Sequence, residues 1–111
     1  MDNLDLSRLL WDYLQKYARG HKNAINPDSL LKYLWLFEPG LRDTRFCDIY
    51  SRLPVCICKV GIYIPITPND VEEFHRYVIK TKTSRLLDQI RTVLTYYPEF
   101  APVQWKQKGL F

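Results

Sequence analysis

The side chains able to do chemistry in this sequence crowd into residues 42–59. From Phe46 the apolar residues Phe46, Ile49, Tyr50 and Leu53 fall at i, i+3, i+4 and i+7, one stripe at helical period. At roughly 100° per residue the reverse side carries Thr44, Arg45, Asp48, Ser51 and Arg52, with Asp43 or Arg42 at the helix start. Guanidinium forks and hydroxyls are donors suited to phosphate oxygens and base edges, whereas Asp48 can either accept from cytosine N4 or repel a phosphate. Pro54 cannot continue the helix, and the β-branched runs 55–60 and 62–66, broken at Gly61, predict a tight hairpin with Lys59 at its tip.

Other chemistry finds little support. His21 and His75 have no serine, cysteine or carboxylate at recognisable catalytic spacing, and there is no glycine-rich phosphate loop. The expectation is a protein that is no enzyme, with no cofactor and no small-molecule substrate. Cys47, Cys56, Cys58 and His75 supply metal-ligating atoms, but Cys-x-Cys in one strand sets two sulfurs about 7 Å apart on one face, without the knuckle of a structural zinc site. Three cysteines form no closed set of bridges, so the thiols are expected to be reduced, small apolar side chains, with no metal.

The elements that hold the 42–59 stretch are legible around it. With 111 residues, 47% hydrophobic and 14% aromatic, the chain can bury one core. Leu6, Leu9, Leu10, Tyr13, Leu14 and Tyr17 predict a first helix, capped by Asn3 or Asp5 and ended by Gly20. Asn26-Pro27-Asp28 starts a second helix that buries Leu30, Leu31, Leu34 and Trp35 and stops before Glu38-Pro39-Gly40. After the hairpin, Thr67-Pro68-Asn69-Asp70 opens a long C-terminal helix that reaches Tyr97, with a kink or break allowed in the polar run from Lys80 to Ser84. The divisions expected are 1–66, 67–97 and an irregular tail 98–111, whose Phe100, Trp105 and Phe111 predict packing on another surface. Leu86, Ile90, Val93 and Tyr97 form a stripe far from the first three helices in sequence, which predicts either a homodimer contact or folding back onto the first helix.

Helix, helix, turn, helix and hairpin within about 65 residues is the order of a winged helix-turn-helix, an α+β fold that is mostly helical. Sixteen Lys and Arg against twelve Asp and Glu give a formal charge of +4, which leans toward polyanions. No apolar run approaches the roughly 20 residues of a membrane span, and the start MDNLDL is acidic where a signal peptide is basic, so no membrane association is expected.

In these features the chain resembles the winged-helix DNA-binding proteins of tailed phages and prophages. The resemblance covers residues 6–94 and is carried by Lys22-Asn23-Ala24-Ile25, Pro54-Val55-Cys56-Ile57-Cys58, Gly61-Ile62-Tyr63-Ile64 and Asp70-Val71-Glu72-Glu73. It implies binding of double-stranded DNA in the cytoplasm of a bacterial host, in regulation, replication or packaging, through Arg42, Thr44, Arg45, Asp48, Ser51, Arg52 and Lys59. The competing class is a winged-helix module that binds proteins, suggested by Asp48, the two-residue wing and the abundance of aromatics.

Overall fold

Leu6, Leu10 and Leu14, one per helical turn, are wholly buried along the first helix, α1 (Asn3–Tyr17). The structure, a computed structural model, describes residues 1–101. Its remaining α-helices are α2 (Pro27–Trp35), α3 (Asp43–Ser51), α4 (Pro68–Thr81) and α5 (Ser84–Tyr96), and its one ladder pairs β1 (Cys56–Ile57) with β2 (Ile62–Tyr63). The described chain is therefore mostly helical with a small antiparallel sheet, an α+β arrangement.

Local chemistry accounts for the helix ends. Asp2 caps α1, its carboxylate accepting from Asp5 N–H at 2.9 Å, one position before the caps expected. Asn3 is not free for that role, because its side-chain oxygen accepts from Arg45. Asn26 caps α2 through Asp28 N–H, with Pro27 at the first helical position, as the sequence predicts. Thr67 and Asp70 form the full reciprocal cap of α4. Trp35, expected in the core, is 44% exposed; its indole N–H donates to Leu41 O at 2.8 Å and fixes the turn before α3.

The hairpin does not project. Alternation along its strands sends successive side chains to two layers, with Ile57 packed against both. Val55, Ile62 and Ile64 join Leu6, Leu10, Leu30, Leu34, Phe46 and Ile49 in a core between α1, α2 and α3. Cys56, Cys58 and Tyr63 turn the other way, onto Val71, Phe74, Val78, Ile90 and Val93 of α4 and α5. Only the turn, Lys59 and Val60, is exposed, closed by Cys58 N–H to Gly61 O at 2.8 Å. The segment between α1 and α2 grips β2 by its backbone: Ile25 and Ile62 exchange two hydrogen bonds of 2.9 Å, Ile64 N–H donates to Ala18 O, and Gly20 N–H to Ile64 O.

The C-terminal helical region breaks within the polar run Lys80–Ser84, where the sequence allows a kink or break. The single long helix is two helices: Lys82, with φ 54°, ends α4 in the left-handed conformation, and α5 restarts two residues later. The run Lys80–Ser84 has no apolar side chain to hold a continuous helix, and the reversal brings the apolar stripe of α5 back against that of α4. The stripe proposed for a dimer is accordingly used inside the chain, with Ile90 and Val93 buried and Leu86 and Tyr97 packed beside them, against α4 and β1 and not against α1. Of the expected tail contacts, Phe100 packs on this core, while Trp105 and Phe111 lie outside the described residues.

Two stability measurements follow. Thr67→Ala removes one acceptor from the α4 cap and should lower the unfolding free energy by about 1 kcal/mol, whereas Asp70→Ala strips three part-buried N–H groups of their acceptor and should cost about 3 kcal/mol in the same urea titration. Gly61 meets Ile25 so closely that an added Cβ would sit 1.9 Å from Ile25 O. Gly61→Ala should therefore cost about 3 kcal/mol and expose the Ile25 and Ile62 amides to hydrogen exchange.

Candidate functional site

Phe46 and Ile49 anchor α3 in the first core, and the rest of its circumference is shared among solvent, the N-terminal segment and α5. The polar face read from the sequence divides here. Arg45 turns toward α1: its Nε donates to Asn3 Oδ1 at 2.7 Å, Nη2 to Met1 O at 2.7 Å, and Nη1 to Glu38 Oε1 at 3.1 Å. Glu38 also pairs with the Met1 amino group at 3.0 Å. Hydrogen bonds from that amino group first and from Arg45 second hold the Glu38 carboxyl below its ordinary pKa. Arg45 thus staples the turn before α3 to the start of α1.

Thr44, Asp48 and Ser51 lie on the opposite flank, with Asp43 and Cys47, and face α5 across a groove of about 480 Å³. The far wall is Arg85, Asp88, Gln89 and Thr92. Gln89, 2% exposed, anchors that wall, its amide nitrogen donating to Leu53 O at 2.7 Å and Val55 O at 3.1 Å just after α3. The Arg85 guanidinium stands over the Tyr50 ring, 5.7 Å from its centroid. Tyr50 shares a 3.3 Å hydrogen bond with the Cys47 thiol, and burial foremost, with that bond second, pushes the phenol up to about 12.

Of the seven candidate contact residues, three therefore line the groove, one is bound to α1, and Arg42, Arg52 and Lys59 are exposed. Arg42 lies at the start of α3, Arg52 at its end and Lys59 on the hairpin turn. The sequence reading missed Gln89, although a signal existed: position 89 is beside Ile90 and one turn from Leu86 and Val93, a place where an apolar side chain is the rule. It also missed α5 as a neighbour of α3, which no local pattern encodes.

Two apolar surfaces complete the survey. Leu4, Trp11, Leu53, Pro54 and Tyr96 line a second groove, of about 440 Å³, between α1 and the end of α5. Tyr17, Tyr13, Tyr33 and Phe37 form a run of ring contacts across α1 and α2, with successive centroids 4.8, 4.2 and 5.5 Å apart. Tyr17 and Phe37, its two ends, are exposed, as are Trp35 and Leu36 beside it.

Among the described residues no group of three His, Cys, Asp or Glu side chains could hold a metal ion, and no helix is long and apolar enough to cross a membrane. No family model, no curated protein and no solved structure matches this chain.

The three thiols are free and differ in access. Cys56 and Cys58 are buried against α4 and α5, and burial pushes the Cys56 thiol well above its ordinary pKa, whereas Cys47 is half-buried at the groove. Maleimide should label Cys47 first in the folded protein, and Cys56 and Cys58 only as the chain unfolds, as peptide mass mapping would reveal.

Proposed function

We propose that this chain is a protein-interaction module on a winged-helix frame, and that its third helix does not read duplex DNA. The frame reading is supported by the order α1, α2, α3, hairpin and by the backbone pairing of Ile25 with Ile62, which adds a third strand position to the hairpin. The observation that carries the functional reading is the flank of α3 that faces α5: Asp43 and Asp48 on one wall stand across from Asp88 on the other. Duplex DNA presents one negative charge per roughly 1.7 Å of its axis, so a carboxylate-lined surface beside a second helix repels what a recognition helix must approach. Arg45, the central guanidinium of the face, commits an N–H from each of its three nitrogens, to Asn3, Met1 and Glu38.

The apolar surface supports the same reading. The aromatic run across α1 and α2 leaves its end rings, Tyr17 and Phe37, exposed, and exposed apolar rings of this kind favour contact with other proteins. No residue is assigned to catalysis, and no cofactor is needed.

The alternative is DNA binding through Arg42, Arg52 and Lys59, all of which are exposed. Fluorescence anisotropy with a labelled random duplex, titrated at several salt concentrations, separates the two. The expected outcome is weak binding whose slope of log affinity against log salt is no steeper than about −2, since each phosphate contact contributes about −0.9. A steeper slope that flattens in the Arg52→Ala, Lys59→Ala double variant would restore DNA binding as the function.

A further inference from the structure

We infer that the α3–α5 groove receives an arginine- or lysine-bearing segment of a protein partner; this rests on the interaction-module reading and names the site and the chemistry of the occupant. The inference comes from an inventory of hydrogen-bonding atoms on the groove walls. Gln89 is almost wholly buried, and both its amide hydrogens are directed at Leu53 O and Val55 O. Its carbonyl oxygen takes part in neither bond, and no described residue donates to it. Since no buried side-chain oxygen lacks a partner among the described residues, that oxygen opens onto the groove that Gln89 lines.

The two hydroxyls beside it are biased in the same sense. Ser51 donates its proton to Asp48 O at 3.2 Å and Thr92 to Asp88 O at 3.1 Å, both backbone carbonyls, so each offers the groove only lone pairs. Asp43, Asp48 and Asp88 add three carboxylates. The one cation on the walls, Arg85, is turned over Tyr50 and makes no ion pair among the described residues; Asp88 has a loose contact with Arg91 at 3.7 Å. With Arg85 and the Thr44 hydroxyl as the donors on its walls, the site still carries three carboxylates against one cation, and this negative sum suits a donating, cationic ligand, which among protein groups is an ammonium or a guanidinium.

Shape selects a peptide segment over a bare ion. The carboxylates form no cluster of metal-ligating spacing, and the groove runs along α3 from Asp43 to Ser51, about 12 Å at 1.5 Å per residue, the length of about four extended residues. Its volume of about 480 Å³ lies in the range of specific ligand sites.

The test is a ¹⁵N–¹H titration of the whole chain with an acetylated, amidated hexapeptide of alternating serine and arginine. The expected result is shifts confined to residues 43–51 and 85–92, and about tenfold weaker binding to the Asp48→Asn, Asp88→Asn double variant. Both positions are exposed, so an unchanged thermal midpoint should accompany that loss. The Asp12→Asn, Asp28→Asn double variant, equally altered in charge but away from the groove, should bind as the parent does. Shifts spread evenly over the acidic surface, an unaltered affinity in the Asp48, Asp88 variant, or spermine binding the groove as tightly as the peptide would overturn the inference. The duplex titration is independent of these outcomes: steep DNA binding overturns the module, whereas a silent peptide with equally silent DNA overturns the groove assignment alone.

Discussion

The carboxylate of Asp70 is the constraint on which the two helical layers jointly depend. It is 6% exposed and accepts three backbone hydrogen bonds: from Ile66 at 2.9 Å and Thr67 at 3.2 Å, at the start of its own helix, and from His21 at 3.0 Å, 49 residues earlier. A buried carboxylate is tolerable only when its lone pairs are taken up in this way. The backbone oxygen of the same residue accepts from the Tyr63 hydroxyl, and burial above all raises the pKa of that phenol. One residue thus caps α4, fixes the exit from α1 and orients the largest buried side chain of the second core.

A second polar tie does for α3 what Asp70 does for α4. Arg45 and Glu38 join the turn before α3 to the first residues of the chain, while Gln89 joins the segment after α3 to α5. The helix is held at both ends by long side chains reaching to elements distant in sequence, and its exposed flank becomes one wall of a groove. Arg45 is thereby engaged in holding the helix in place, whereas Arg42 and Arg52 at its two ends are exposed.

How much of this was legible depended on the range of the interaction. The caps at Asn26 and Thr67, the core stripes of the first three helices apart from the exposed Tyr17 and Trp35, and the hairpin break at Gly61 are local patterns, and the structure follows them. The arginines on α3 were legible as polar positions but not as to partner, because Asn3 lies 42 residues from Arg45. The division of the C-terminal helix was half legible: the polar run from Lys80 to Ser84 marked the weak point, but only packing on α4 and β1 determines where the stripe of α5 goes. Asp70 was read as a helix cap and also serves His21, a role no spacing rule could disclose.

The two-sided hairpin also fixes where this chain can change length. Its strands place Cys56 opposite Tyr63 and Ile57 opposite Ile62, with alternate residues committed to different layers. Adding or deleting a single residue within either strand would slip the register by one, turning Tyr63 toward α1 and Ile62 toward α4, so that both interiors would be misfilled together. At Lys59 and Val60, which touch neither layer, an insertion would lengthen only a solvent turn, and each doubling of a loop costs about 0.6 kcal/mol of closure entropy. A change in the length of this hairpin is thereby tolerated at that two-residue tip and nowhere along its strands.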